Sequence, residues 1–190
     1  RQDSQRAYWR NQLQHAPHAL ELPTDFSRPQ QPTGRGAVQE CPIPASRVRL
    51  LKILAEQEGT TLFTVLLTAF QVWLHRYTGQ KDVVVGTPVT RRTRTELEAV
   101  FGFFLNTLPV RAQFESEDSF CDVVGQLRQT LIDGYQHADL PFEQIVEVAG
   151  QGQHATLQPL HQAMFVMLDD ATAEIQLGEA TARPFGVTTG

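Results

Sequence analysis

Two apolar runs separated by a basic connection limit what this chain can fold into. Val83-Val84-Val85-Gly86-Thr87-Pro88 is β-branched and bounded by charged residues and Pro, which is the composition of a strand buried on both faces. After Arg91-Arg92-Thr93-Arg94 comes Val100-Phe101-Gly102-Phe103-Phe104-Leu105-Asn106-Thr107-Leu108-Pro109-Val110-Arg111, apolar again but carrying Asn106, Thr107 and Arg111. Burying a polar side chain without a partner costs roughly 1–3 kcal/mol. These three therefore either close a structural network or face a cavity.

The 190 residues suffice for one domain, or one lobe of a larger one, with a real core. With 41% hydrophobic and 19% charged residues the composition is globular, and a net charge of −5 gives no electrostatic reason to expect nucleic acid. Cys41 and Cys121 are too few for a disulfide framework or a metal site, which points to free thiols in a reducing cytosol. The longest apolar stretch, Leu62 to Leu74, is interrupted by Thr64, Thr68 and Gln71 and is too short to span a membrane. The sequence starts at Arg1, in what already reads as a helix, as expected for a piece of a longer polypeptide.

Helical spacing is expected from Ser4 to Leu13, followed by a connector punctuated by Pro17, Pro23, Pro29 and Pro32 that runs to Gly36. On that basis residues 1–36 are a helix and extended connector, and 37–190 form the main body. Ala37 to Ile43 reads as an edge strand, Ser46 as the N-cap of a helix through Glu58, and Thr60 or Thr61 as the cap of a helix from Leu62 to Tyr77 lying against the sheet. Phe120, Val123, Val124, Leu127, Leu131 and Tyr135 mark another helix, and Pro141 opens the next at its first position. Leu160 to Leu168 reads as a strand, with weaker ones at Ala173 to Leu177 and Ala182 to Val187. Strands alternating with helices predict an α/β layered fold.

Few residues look reactive. His137 stands near Asp139 and Glu143, yet a helix C-terminus at His137 and a helix N-terminus at Glu143 account for both without chemistry. Phe142 beside them is expected to be a buried aromatic. No histidine pair has metal-ligand spacing. Arg91, Arg92 and Arg94 could meet a phosphate or simply form a solvated loop, and no Gly-rich cradle lies beside them. Asn106 either closes a structural network or faces a pocket; on a strand it would share a face with Phe104 and Leu108. Arg111 is expected to pair with a carboxylate or with carbonyls.

Taken in order, these segments resemble the condensation domains of nonribosomal peptide synthetases. Val84-Val85-Gly86-Thr87-Pro88 with Gly102-Phe103-Phe104-Leu105-Asn106-Thr107-Leu108-Pro109-Val110-Arg111 is similar to one motif of that family, and His137-Ala138-Asp139-Leu140-Pro141-Phe142-Glu143 to the next. Pro159-Leu160-His161-Gln162-Ala163-Met164-Phe165 resembles a third, with His161 where Phe is common. The catalytic signature His-His-x-x-x-Asp-Gly occurs nowhere in the sequence. The resemblance therefore implies the C-terminal lobe of a chloramphenicol-acetyltransferase-like, two-lobed domain, with a tunnel between the lobes and the catalytic histidine in the other one.

It further implies peptide-bond formation between donor and acceptor thioesters carried on phosphopantetheine arms of partner carrier proteins, with no cofactor bound directly. The implied partners are the N-terminal lobe, both carrier proteins and a neighbouring adenylation domain; nucleic acid and membrane are not among them. Gly102, Phe104 and Asn106 are implied to approach the tunnel, while Arg111, His137, Pro141, Phe142 and Glu143 are architectural. The region around Gly102 is a candidate for a segment that crosses to the other lobe. An epimerization or cyclization domain, or a non-catalytic carrier-protein docking module, is the alternative.

Overall fold

The chain is described by a computed structural model covering residues 2–26, 36–92, 95–97, 99–150, 159–168, 175–178 and 180–182. Its centre is an antiparallel pair, β1 (Asp82–Thr90) and β2 (Leu105–Gln113), in a register that sets Val85 opposite Val110 and Val89 opposite Asn106. A third chain segment joins β1 in parallel at Met164: Gly86 donates its N–H to the Ala163 carbonyl, and Phe165 donates to the Gly86 carbonyl. The stretch read as a strand from Leu160 to Leu168 thus makes one bridge, not a full ladder.

That third segment depends on Gly86. A Cβ there would stand 2.5 Å from His161 Cδ2, because the imidazole lies directly over the glycine. An isolated Gly inside a strand marks such close approaches.

Helices cover the pair. α1 (Gln2–Gln12) is followed by α2 (Ala45–Gln57), α3 (Leu62–Thr78), α4 (Phe120–Gln136) and α5 (Phe142–Val148). Leu67 and Leu74 of α3, together with Val123, Leu127 and Leu131 of α4, pack against Val83, Val85, Val110 and Ala112. A second cluster joins Trp9, Leu13 and Ala16 to Val84, Leu108, Leu140 and Ile145. α1 and the chain just after it are therefore built into the core. Leu20 is buried too, its N–H donating to Gln162, while Phe26 is exposed.

Local signals explain both ends of α3 and the start of α4. Thr61 caps α3 by accepting from the Thr64 N–H, and Gly79 closes it at φ +74°. Ser119 and Asp122 form a capping box on α4. Three expectations differ. α2 starts after Pro44, which leaves Ser46 inside the helix, and residues 37–43 form no strand and lie exposed. Pro141 occupies the N-cap of α5, one place before the first helical residue.

α3 is less uniformly buried than its composition implies. Thr64, Thr68 and Gln71 are buried, whereas Trp73 and Tyr77 stand about half exposed and stack on each other at 5.4 Å. Gln71 reaches the sheet, donating to the carbonyls of Val110 at 2.9 Å and Val83 at 3.4 Å. Thr68 turns its hydroxyl back to the Thr64 carbonyl. A short hairpin, β3 (Ile175–Leu177) with β4 (Ala180–Ala182), lies within the last part of the chain, and residues 183–187, read as strand, fall outside the described residues. No described helix is long and apolar enough to cross a membrane.

Candidate functional site

Residues of two of the motifs, around Asn106 and around Pro141, converge on the end of the β1–β2 pair where the basic connection leaves and returns. An open cleft of about 580 Å³ lies there, lined by Arg91, Phe103, Phe104, Asn106, Pro141 and Glu143, among others. β2 supplies one wall and the α4–α5 corner the other.

Asn106 joins the two walls. Its Nδ2 donates to the carbonyls of Ala138 at 2.9 Å and Leu140 at 2.8 Å, and its Oδ1 accepts from the Phe142 N–H at 3.0 Å. The side chain sits on the cleft wall, yet both of its donors and one acceptor position are spent internally. The two readings that the sequence leaves open for Asn106, network and pocket wall, thus meet in one residue.

The rest of the corner is braced from behind. His137 ends α4, its Nδ1 2.8 Å from the Asp133 carbonyl, and its ring stacks on Tyr8 at 4.0 Å. Trp9 donates from Nε1 to the His137 carbonyl. Burial, with Asp133 nearby, pushes the Tyr8 phenol up to about 12. Phe142 meets the His161 ring edge-on at 5.3 Å and packs against the second core cluster, but it is only partly buried, less than the buried aromatic expected there. Glu143 lies exposed in the first turn of α5, on the cleft rim.

Arg111 works at the opposite end of β2. It grips Asp82 through Nε at 2.9 Å and Nη2 at 2.6 Å, and Nη1 donates to the carbonyls of Gln12, the last residue of α1, and Gln14 just beyond it. It thus ties the helix end to the strand pair, away from the cleft.

The connection between the strands is organised by Arg92, whose role the sequence does not reveal. Its guanidinium donates to the carbonyls of Leu97, Val100 (2.8 Å) and Gly102 (3.4 Å) and lies 4.2 Å from the centre of the Phe104 ring. The Arg91 N–H closes the loop on the Phe104 carbonyl. Gly102, Phe103 and Phe104 precede β2 instead of belonging to it, so the strand alternation expected to pair Phe104 with Asn106 starts only at Leu105, and Phe101 and Phe103 project outward, Phe103 86% exposed. Arg91 lines the cleft, and Arg94 lies outside the described residues.

His161 is buried with Nδ1 unpartnered, and burial lowers its pKa. Among the described residues no group of three or more His, Cys, Asp or Glu side chains could hold a metal ion.

Comparison with known proteins gives a consistent set of likenesses. The family described as "Condensation domain" matches residues 1–188. A linear gramicidin synthase of Brevibacillus parabrevis is 40% identical over 185 residues, 97% of this chain and 2% of its own length. Phosphinothricin tripeptide synthetase PhsC of Streptomyces viridochromogenes is 42% identical over 166 residues, 87% of this chain and 15% of its own. The chain thus spans a small part of these relatives. Among solved structures, the X-domain from teicoplanin biosynthesis superposes with a TM-score of 0.87 at 27% identity, covering 98% of this chain and 42% of that one. A four-domain nonribosomal peptide synthetase bound to AMP and glycine gives 0.83 at 27% identity over 87% of this chain and 13% of that one.

Proposed function

Because this chain belongs to the condensation-domain family, we propose that it is the acceptor-side, C-terminal lobe of a peptide-synthetase domain that joins two carrier-bound thioesters. The acceptor amine nitrogen attacks the donor thioester carbonyl, the new C–N bond forms, the C–S bond breaks, and the departing sulfur takes up the proton the amine loses. The match over residues 1–188 carries this reading, and the cleft walled by two of the motif segments supports it.

The residues of this chain bind and orient. Phe104 forms an apolar wall, Gly102 lets the backbone turn closely beside it, and Asn106 holds the α4–α5 corner in place as the second wall. Arg111, His137, Pro141 and Phe142 keep that frame rigid, with Glu143 at the rim. The histidine that handles the proton belongs to the N-terminal lobe, since His-His-x-x-x-Asp-Gly is absent from this sequence. The exposed Phe101 and Phe103 face that lobe. Donor and acceptor carrier proteins bring their phosphopantetheine arms as part of the substrates, an adenylation domain is the neighbour, and the assembly works in the cytoplasm.

A docking role is the second reading. One structural neighbour, an X-domain, is described in complex with OxyB, at a TM-score of 0.80 and 28% identity. Both readings are tested by supplying the chain, with and without an N-terminal lobe bearing the histidine signature, with loaded donor and acceptor carrier proteins and following dipeptidyl thioester by mass spectrometry. Product only with both lobes is expected. Product from this chain alone would refute the division of labour, and carrier binding without product from the joined lobes would favour docking.

A further inference from the structure

We propose that Arg92 is a positioning residue for the acceptor thioester: its guanidinium sets the Gly102–Phe104 wall of the cleft without touching substrate. The proposal rests on the condensation reading above.

The β1–β2 connection has an unusual arrangement of polar and apolar groups. Among its described residues Phe101 is fully exposed and Phe103 nearly so, and these two side chains contribute no buried apolar contact to its path. Arg92 gathers it instead. A planar guanidinium can serve several acceptors and still present a face to an aromatic ring. Arg92 does both: it collects the carbonyls of Leu97, Val100 and Gly102 on its edge and lies over Phe104 on its face. Those carbonyls come from successive parts of the connection, so the one side chain fixes its path.

The consequence reaches the cleft through two short links. Gly102 precedes Phe103 and Phe104, both of which line the cleft, and the Phe104 carbonyl accepts from the Arg91 N–H at 2.6 Å at the point where β1 ends. The Phe104 ring is therefore held on both sides, by Arg92 on its face and by its own backbone. Lysine has the charge but neither the fork nor the flat face. A cost in binding, with the chemical step spared, is the signature of losing a preorganised wall.

Two measurements test this. In the chain itself, amide hydrogen exchange over residues 91–104 is followed for wild type, Arg92→Ala and Arg92→Lys. Both variants are expected to exchange roughly tenfold faster at Arg91 and Val100, with Val83–Thr87 unchanged. In the synthetase that carries this chain, both are expected to raise KM for the loaded acceptor carrier protein about tenfold, equal to ~1.4 kcal/mol of binding. They should leave kcat within about threefold and the melting temperature within about 2 °C. Phe104→Leu, which removes the stack and keeps the carbonyl bonds, falls between.

Unchanged exchange in Arg92→Ala would overturn the proposal, as would faster exchange with an unchanged KM, or full rescue by lysine. A wild-type synthetase that forms no amide bond would instead sink the condensation reading. The exchange data would still decide whether Arg92 sets the loop.

Discussion

Replacing Asn106 by alanine separates a frame residue from a substrate contact. The substitution removes three hydrogen bonds at once and leaves the Ala138 and Leu140 carbonyls and the Phe142 N–H to find other partners. Leu140 is buried, whereas Ala138 and Phe142 are partly exposed, so water can serve two of the three groups. Charging one fully stranded group and two partly relieved ones gives a cost of about 3 kcal/mol. For a chain of this length that corresponds to a fall in melting temperature of roughly 6–12 °C. Asn106→Asp keeps an acceptor for Phe142 but sets a carboxylate against two carbonyl oxygens, so at neutral pH it should be at least as damaging. A proton at lower pH restores one donor, and its deficit relative to wild type should shrink on acidification. Thermal and urea unfolding, followed by circular dichroism, measure all of this. A melting point of Asn106→Ala within about 2 °C of wild type would refute the bracing argument and return the residue to direct substrate contact.

The other predictions concern the frame around it. Gly86→Ala drives a methyl to 2.5 Å from His161 Cδ2 and should cost about 1–3 kcal/mol by overpacking, with part of that recovered in Gly86→Ala/His161→Ala in the same melts. Arg111→Ala strands Asp82 and two carbonyls at the end of α1 and should cost about 2–4 kcal/mol; Arg111→Lys should restore less than half, and amide exchange in α1 should accelerate in both. Burial lowers the His161 pKa, so the unfolded chain binds its proton more readily. The associated stability is full above the ordinary His value near ~6.5 and is lost as the pH falls through the folded value. His161→Phe should show a flatter melting temperature than wild type between about pH 7 and 5, and parallel profiles would refute this.

What the sequence discloses is mostly local. The β-branched run at Val83, the Thr61 cap and the period of α4 follow from backbone propensities acting over a few residues, and the structure places them as read. Failures occur where distant partners decide. Ala37 to Ile43 has a strand's composition but no neighbouring strand to pair with among the described residues. Thr64, Thr68 and Gln71 look like breaks in an apolar helix, yet they face inward, because Gln71 finds carbonyls on both strands and Trp73 and Tyr77 take the outside. At the cleft, the motif residues are visible as types, but their tasks are not. The wall formed by Asn106 depends on a corner 32–36 residues later, and Arg92 looks like one of three loop cations until its carbonyl partners are seen. The close approach of His161 to Gly86 likewise appears only in the structure.

The burial of α1 has a consequence for how the chain is made. Trp9 has its hydrogen-bond acceptor 128 positions later at His137, and Leu20 closes on Gln162, 142 positions on. At ribosomal rates of ~5–20 residues per second, the wait for His137 alone lasts roughly 6–26 s. Throughout that interval Trp9 and Leu13 lack the part of their cover that Leu140 and Ile145 later supply, while α3, β1 and β2 can already assemble. A helix synthesised before the strands is thus among the last elements to settle. It is the stretch a nascent-chain chaperone would meet, and pausing translation between β2 and α5 should lengthen that encounter.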